Sequence, residues 1–240
     1  MDILEKYKNP IPKKIRFGNW KQIPLEECKE PMVKLNDISD RILIEPIYYN
    51  QGRKGSIKEC YVRKTIAEKL IKALEQLPNE YAFLIWDAYR PLEVQQDLFD
   101  EYYEVLEKEN PYLSKEELMI QTQKFVSLPS IDKTKPSPHN TGAAIDLTIC
   151  NKNGEPIKMG GGFDDFTEIS NERYYEEKLE KGTLKDEEYE YLINRRILNN
   201  ILAEQGFIGH PYEWWHKCYK DQMYTEMAGE EKAIYGMTQI

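Results

Sequence analysis

The sequence predicts a mixed α+β fold, because helical and strand periodicities both occur along a chain that no internal repeat or linker divides. In the segment 66–77, Ile66, Leu70 and Leu74 share one helical face. A short apolar run at 81–87 has the length of a buried strand. The 240 residues fit one large domain, so we expect a single α+β domain.

The composition is that of a globular protein with a sizeable core, since 40% of the residues are hydrophobic and 12% are aromatic. The formal net charge of -9 argues against nucleic acid as a partner, because phosphate binding needs a clustered positive surface. The four cysteines form no C-x-x-C pair, and no apolar stretch reaches the length of a membrane span. The first residues lack a secretory pattern, so we expect a cytoplasmic protein with reduced thiols and no membrane partner.

The first half of the chain is predicted to contain an arm followed by alternating strands and helices. Residues 1–36 hold several prolines and few regular patterns, so we expect an irregular N-terminal arm and a domain spanning 37–240. Pro78 is expected to end the first helix, and Pro91 favours a turn that starts a second one. In order, the expected elements are a strand at 41–46, a helix at 66–77, a strand at 81–87 and a helix at 92–109.

The second half contains a helix start signal and a strand with a polar face. Ser114 and Glu117 have the spacing of a capping box, which predicts a helix beginning there. Alternation at 144–149 places Asp146 and Thr148 on one face of a half-buried strand. The remaining expected elements are a loop at 127–138, a tight loop at 159–164, a helix at 187–205 ended by a glycine, and a strand at 212–219.

Two of the three histidines lie in short motifs that also carry a carboxylate, Ser137-Pro-His139 followed by Asp146, and Glu213-Trp-Trp-His216. Two imidazoles and one carboxylate are sufficient to hold a zinc ion and leave its fourth position open for chemistry. Each residue alone has a simpler explanation, because a lone histidine is usually packed or exposed and a lone strand aspartate often pairs locally. The combination favours a catalytic zinc site formed by His139, Asp146 and His216.

Glu213 is predicted to be the general base and acid of such a site. A zinc-activated water needs a group that takes its proton and returns it to the leaving amine, and a neighbouring carboxylate can do both. Glu213 and His216 are three residues apart, so a flat strand would not place them on one face. We therefore expect a bend or bulge between them. Alone, the glutamate is more simply a surface residue beside two tryptophans.

Arg90 completes the candidate site, at the end of a predicted strand. Its guanidinium can face the oxyanion that forms when water attacks an amide, or it can form a salt bridge to Asp87. The sequence leaves both roles open, and Asp87 can orient Arg90 while Arg90 acts on the substrate. His210 carries no motif and is expected to be exposed, and Cys218 is more simply a small buried hydrophobe than a metal ligand.

At this point the sequence resembles the zinc D-alanyl-D-alanine dipeptidases, the VanX-type enzymes of the D,D-peptidase group. The resemblance covers roughly residues 37–217 and is specific because several motifs occur together in matching order. These motifs are Trp86-Asp-Ala-Tyr-Arg-Pro91, Ser137-x-His139-x-x-Gly142-x-Ala144-x-Asp146, Met159-Gly with Phe163-Asp164, and Glu213-Trp-Trp-His216.

The resemblance implies an α+β fold with an antiparallel sheet and flanking helices, one zinc ion per chain, and a small dipeptide as the substrate. It also implies a role for each matching residue. His139, Asp146 and His216 match the zinc ligands, Glu213 the catalytic base, Arg90 the residue that stabilises the tetrahedral intermediate, Ser137 a position near the substrate carboxylate, and Asp164 the acid that meets the substrate ammonium.

The chain also departs from the pattern, and two other functions stay open. Lys217 follows His216 where an aromatic residue would be unsurprising, which we expect to be neutral, and the charged insert 168–185 is either a lid or a surface elaboration. The alternatives are a D,D- or L,D-carboxypeptidase of peptidoglycan peptides and a non-catalytic zinc-binding domain. The second alternative would be expected to lack Glu213 or Arg90, yet both are present. The sequence does not determine the oligomeric state.

Overall fold

The computed structural model describes residues 4–165 and 167–240, so the first three residues of the predicted arm lie outside it. Seven α-helices and seven strands are found in these residues. The helices are α1 (Ile47–Asn50), α2 (Lys64–Leu74), α3 (Leu92–Glu109), α4 (Lys115–Thr122), α5 (Tyr174–Glu180), α6 (Tyr189–Glu204) and α7 (Gln222–Ala228). The strands are β1 (Met32–Lys34), β2 (Ile42–Ile44), β3 (Tyr61–Arg63), β4 (Tyr81–Asp87), β5 (Ala144–Asn151), β6 (Ile208–His210) and β7 (Glu213–Cys218).

A five-stranded sheet in the order β2-β4-β5-β7-β6 forms the centre of the molecule. Its pairs are antiparallel except β2 and β4, which run parallel at one edge. Strands β1 and β3 form a separate antiparallel pair. The α+β class with a largely antiparallel sheet and flanking helices is confirmed.

Several predicted elements agree closely with the structure. Strand β4 and helix α3 have the predicted bounds, and helix α4 begins at the predicted capping box. In that box the Glu117 N–H donates to Ser114 Oγ at 3.2 Å, and the Ser114 N–H donates to Glu117 Oε2 at 2.8 Å. Helix α2 ends at Leu74, before Pro78, since the chain forms turns over the intervening residues.

Strand β5 is not half-buried, contrary to the prediction, because both of its faces are covered. Its alternating apolar residues join the main core, where Ile145 and Leu147 are fully buried. On the other face Ala144 packs with Met223 and Tyr224 of helix α7. Thr148, expected on an exposed polar face, is fully buried as well. The polar residues of β5 therefore identify the face of the strand that contributes to the candidate site. That face is not exposed to solvent.

Residues 4–31 cross the surface of the domain as an extended segment with short 3₁₀ turns. Tyr7 and Ile11 are buried, and the Ile11 N–H donates to Glu176 of helix α5 at 2.9 Å. Farther on, the segment reaches helix α7, where the Gly18 and Asn19 N–H groups donate to the Glu226 carboxylate at 3.0 and 2.9 Å. The boundary at 36/37 between arm and domain stays a prediction.

The insert 168–185 packs against helix α6. Arg196 of that helix forms a bidentate ion pair with Glu176, at 2.8 and 2.7 Å. None of the insert's residues lines the cavity described below. Of the two expected forms, the insert is therefore an elaboration of the surface and not a lid. Within the described part of the chain, no helix has the length and apolar character needed to cross a membrane.

Candidate active site

A cavity of about 800 Å³ opens beside the central sheet and contains all the residues that the sequence singled out for chemistry. Those lining it are Arg90, Ser137, His139, Asp146, Asp164, Glu213 and His216. They come from β5, β7 and the loops that follow β4, precede β5 and precede the insert. Because the residues are far apart in sequence, the fold itself brings the site together.

The three predicted zinc ligands form one buried group whose ligand atoms all lie within 4.8 Å of one another. His139 Nε2 and His216 Nδ1 are 3.0 Å apart, and Asp146 Oδ2 and Oδ1 lie 3.3 and 3.1 Å from those nitrogens respectively. Nitrogen and oxygen ligands of zinc lie about 2.0–2.2 Å from the ion, so atoms spaced in this way can share one ion.

The buried polar atoms of this group also fit a cation. His139 Nδ1 lies 2.7 Å from the carbonyl oxygen of Ala88, which favours the tautomer with a proton on Nδ1 and a lone pair on Nε2. Asp146 Oδ1 is buried without a hydrogen-bond partner. The prediction of zinc therefore agrees with the donor set, and Cys218 is not part of the group.

Strand register accounts for the close approach of these ligands. Asp146 of β5 lies directly opposite His216 of β7 and opposite Asp87 of β4. His139 enters from a 3₁₀ turn, Pro138–Thr141, that ends at Gly142 in the left-handed conformation with φ 69°. Glycine is favoured at this position by its positive φ, since a Cβ there would meet only the flexible end of the Met32 side chain.

Glu213 lies beside the ligand group because strand β7 is irregular, as predicted. The register between β6 and β7 shifts so that His210 pairs with Glu213, whereas the preceding pair joins Gly209 and Lys217. Glu213 Oε2 is thereby placed 3.6 Å from His216 Nδ1. Burial raises the pKa of Glu213 well above its ordinary value, and the carboxylates of Asp146 and Asp164 add to this. A carboxyl group of this kind is suited to accept and return a proton.

Arg90 forms the salt bridge to Asp87 that the sequence offered as one of its two roles, and its role towards a substrate stays a prediction. Its Nε donates to Asp87 Oδ2 at 2.8 Å, and its Nη1 donates to Gln95 Oε1 at 2.9 Å, which together fix the guanidinium plane. Its Nη2 remains directed towards the ligand group, 3.5 Å from Asp146 Oδ2. The Asp87 salt bridge therefore orients Arg90 towards the place where substrate would react.

Asp164 and Ser137 occupy two further positions in the cavity wall. Asp164 accepts a hydrogen bond from Tyr48 Oη at 3.0 Å, and Tyr48 in turn lies 3.4 Å from Arg90 Nη2. Burial raises the pKa of Asp164 to about 7, while Arg90 and the Tyr48 hydrogen bond oppose this effect. Ser137 Oγ is buried and has no hydrogen-bond partner, which leaves it available to a ligand.

Ring packing in the core and hydrogen bonds from helix α6 hold the loop that carries Asp164 in place. Phe163 packs against Trp86 and Trp215, with ring centroids 5.1 and 5.4 Å apart. Arg195 of α6 donates hydrogen bonds to the carbonyl oxygens of Met159, Ile169 and Asn171, at 2.7, 2.8 and 2.9 Å. Both tryptophans of the Glu213 motif are buried, in agreement with their expected place in the core or pocket wall.

One expectation about a neighbouring residue was wrong. His210 is buried, at 6% exposure, because Phe17 from the N-terminal segment packs edge-on against its ring. Burial lowers the pKa of His210 well below its ordinary value, so the ring is neutral. Lys217, whose effect stays a prediction, is fully buried, and its Nζ donates to Glu172 of the insert at 2.8 Å.

Sequence reasoning missed other residues that the structure brings to the site. Tyr48 and Gln95 contact Arg90, and Phe17 and Tyr212 line the same cavity. Gln95 is a buried polar residue on an amphipathic helix, and its position in helical register with the apolar stripe of α3 was a usable signal. Phe17 and Tyr48 lie in segments without periodic pattern, so their sequence gave no comparable signal.

The site has the composition of a metal-dependent hydrolase. One cleft contains two imidazoles, a carboxylate, a neighbouring acid and an arginine held in a fixed orientation. The sequence profile of the peptidase M15 family, described as D-Ala-D-Ala dipeptidase, matches residues 49–232. The chain therefore belongs to this family and is a peptidase.

Two related sequences agree with the family assignment. A D-alanyl-D-alanine dipeptidase of Synechocystis sp. is 31% identical over 219 residues, which cover 85% of this chain and 87% of that protein. A D-alanyl-D-alanine dipeptidase of Enterococcus faecium is 32% identical over 170 residues, covering 66% and 73%. A crystal structure of a variant of the vancomycin-resistance D,D-pentapeptidase VanY with Zn(II) is similar at a TM-score of 0.41 and 13% identity, over 95% of this chain and 96% of that one.

Proposed function

We propose that this peptidase is a zinc-dependent dipeptidase that hydrolyses D-alanyl-D-alanine or related D-configured dipeptides to free amino acids. One observation carries the proposal: the ligand group, Glu213, Arg90 and Asp164 face the same cavity, so the groups needed for metal binding, proton transfer and recognition of an ammonium are within one substrate's reach. The names of the relatives support the choice of substrate.

In this proposal His139, Asp146 and His216 hold the zinc ion. When bound, the ion would supply Lewis-acid chemistry that makes a water more acidic and the peptide carbonyl more electrophilic. Glu213 takes the proton from the attacking water and delivers it to the nitrogen of the leaving amino acid. Arg90 Nη2 donates to the oxyanion that develops on the substrate carbonyl, with Asp87 and Gln95 holding the guanidinium in place.

The ends of the dipeptide are recognised by the two remaining residues. Asp164 pairs with the free ammonium, and Ser137 Oγ donates to the carboxylate of the leaving residue. A substrate with a blocked amine would leave the Asp164 carboxylate buried and unpaired, which is unfavourable by about 1–3 kcal/mol or more for a charged group. Selection against longer peptides would follow from this penalty.

Arg90→Ala is expected to lower kcat by about 10²–10³-fold while changing KM much less, because the interaction with the oxyanion is made mainly in the transition state. The measurement is steady-state release of D-alanine from D-alanyl-D-alanine. Arg90→Lys is the matched variant, since it retains the positive charge but loses the fork that contacts Asp87 and Gln95. A rise in KM at unchanged kcat would instead make Arg90 a substrate anchor. Both variants remove the guanidinium that pairs with the buried aspartates. Thermal unfolding of each variant therefore checks that the protein still folds.

The pH dependence of substrate binding should follow Asp164. With a pKa of about 7, its carboxylate is mostly protonated at pH 6 and mostly ionised at pH 8. The α-amino group of a dipeptide has a pKa of about 7.7–8.0 and is about half deprotonated at pH 8, so affinity should rise by roughly four- to fivefold over that interval. The binding constant is measured by calorimetry with slowly hydrolysed dipeptide analogues. Asp164→Asn should bind weakly at pH 8 and show no such rise; if the rise persisted in this variant, Asp164 would not be the ammonium partner.

The raised pKa of Asp164 also predicts how the stability of the folded protein changes with pH. Because the folded state raises the pKa of Asp164 above 3.8, proton binding to it favours folding at low pH, and that contribution is lost as the pH rises through about 7. Asp164→Asn should therefore be more stable than the parent protein at pH 8, and this advantage should shrink at pH 5. Thermal unfolding at both pH values supplies the comparison.

The proposed activity is tested with the purified, zinc-loaded protein and three substrates: D-alanyl-D-alanine, L-alanyl-L-alanine and N-acetylated D-alanyl-D-alanine. Rapid cleavage of the free D,D-dipeptide alone is the expected result. Cleavage of the acetylated peptide would favour a D,D-carboxypeptidase, which the 800 Å³ cavity makes a reasonable second candidate. If none is cleaved while zinc is bound, the dipeptidase proposal fails.

A further inference from the structure

One wall of the cavity is a continuous row of aromatic rings that starts at the ligand group. The ring centroid of His210 lies 5.5 Å from that of His216. Phe17 and Tyr212 follow at 5.1 and 5.8 Å from His210, and they lie 5.7 Å from each other. Phe125 lies 6.4 Å from Tyr212 and continues the wall, which ends with Tyr102, 6.1 Å farther. All of these residues line the cavity. We call Phe17, His210, Tyr212, Phe125 and Tyr102 the aromatic row.

Phe17 belongs to a segment, residues 14–22, that is anchored at both ends, and which we call the strap. At one end Lys14 forms a buried ion pair with Glu172, the same carboxylate that binds Lys217. In its middle the Gly18 and Asn19 N–H groups donate to the Glu226 carboxylate, and just past its end Gln222 donates to the carbonyl oxygen of Ile23 at 2.6 Å. These contacts hold Phe17 and Trp20 in the cavity wall.

The strap lies outside the matched region 49–232, so it adds a wall that the family profile does not describe. The cavity it helps to enclose, about 800 Å³, is within the range of about 300–1,000 Å³ that accommodates drug-sized ligands. A dipeptide of two alanines is much smaller than such a ligand. Space beside the aromatic row is therefore available for a larger substituent.

The position of the row indicates which part of a dipeptide that substituent belongs to. Asp164 is connected to the ligand group through Tyr48 and Arg90, on the side of Asp146. The aromatic row leaves the group from His216 instead. If the substrate ammonium is held at Asp164 and the scissile bond at the ligand group, the leaving residue lies beyond that group, and the row that starts at His216 is the wall we place beside it.

Resting on the proposed dipeptidase function, we propose that the aromatic row is the subsite for the side chain of the leaving residue, and that Phe17 of the strap determines selectivity for bulky apolar or aromatic side chains at that position. Aromatic rings in a partly enclosed wall favour contact with apolar and aromatic groups through burial and edge-to-face packing. Dipeptides such as D-alanyl-D-phenylalanine are the substrate class that this wall fits.

The test compares kcat/KM for D-alanyl-D-phenylalanine and D-alanyl-D-alanine with the full-length, zinc-loaded protein. We expect the parent protein to cleave both, and Phe17→Ala to lower the ratio of the two kcat/KM values by roughly tenfold, mainly through KM for the larger substrate. Ile15→Ala is the matched control, because Ile15 is in the strap but is 89% exposed and does not line the cavity. This control should leave the ratio unchanged.

Binding of the leaving product gives a second readout that needs no turnover. D-Phenylalanine should bind more tightly than D-alanine by calorimetry, and Phe17→Ala should abolish the difference. If Phe17→Ala does not fold, Phe125→Leu, from outside the strap, serves in both measurements. An unchanged ratio together with equal binding of the two amino acids overturns the subsite. Absence of any dipeptide cleavage, with the binding difference intact, overturns the proposed function and leaves the subsite standing.

Discussion

Asp146→Asn should remove zinc from the protein and reduce peptidase activity to background. The substitution keeps the size of the side chain but replaces an anionic ligand by a neutral amide that is a poor zinc ligand. Asp146 is central to the group, with contacts to both imidazoles at 3.3 and 3.1 Å, so no other described carboxylate is placed to substitute for it without movement. Zinc content after dialysis and the rate of D-alanine release are the two measurements.

Thermal unfolding offers an independent check of the same substitution. Zinc that binds only the folded state stabilises it by about 2.7 kcal/mol at a free concentration of 100 Kd, which for a domain of this size raises Tm by about 5–10 °C. The parent protein should show this rise and Asp146→Asn should not. Asp37→Asn, at an exposed side chain outside the cavity, is the control and should behave as the parent. Stoichiometric zinc in Asp146→Asn would exclude Asp146 as a ligand.

Glu213→Gln should retain zinc but lower kcat by about 10³–10⁴-fold. The amide has the shape of the carboxyl group but cannot accept the proton of the attacking water, and general acid–base catalysis contributes up to about 10⁴-fold. Glu213 Oε2 lies 3.6 Å from His216 Nδ1, close enough to act beside the ligand group. Rates and bound zinc are measured on the same protein samples, so that loss of metal and loss of the base can be told apart.

The control for this substitution is Glu231→Gln, because Glu231 is exposed and does not line the cavity. It should leave both the rate and the zinc content unchanged. Loss of zinc together with activity in Glu213→Gln would place Glu213 among the ligands. Near-normal turnover with zinc in place would show that another group transfers the proton.

Local sequence rules were sufficient for the elements that carry the site. The apolar run of β4 and the capping box at Ser114 depend on neighbouring residues only, and both elements occur where expected. The bulge near Glu213 was also predictable, because three-residue spacing from His216 is incompatible with a flat strand if both side chains face one ion. The motifs were therefore informative about geometry as well as about chemistry.

Burial depended on long-range packing and was predicted less well. Nothing next to His210 in sequence indicates that Phe17 covers it, and nothing next to Lys217 indicates that Glu172 lies behind it. The same applies to Tyr48, which reaches Arg90 from a helix of only four residues. Contacts between segments that are far apart in the chain, and that carry no periodic pattern, leave no local signature.

The buried carboxylate of Glu172 has a consequence for how this protein can vary. It binds Lys14 and Lys217, and the Glu172 N–H donates to the carbonyl oxygen of Pro211 at 3.0 Å. A side chain at Gly209 would overlap both Glu172 and Lys217, so even the space around this carboxylate is occupied. A chimaera that replaces only the N-terminal segment, only the insert or only the strand that carries His216 would therefore change one member of this set of contacts. We expect such an exchange to be least tolerated where it removes Glu172, because Lys217 would then be buried next to His216 without its carboxylate partner.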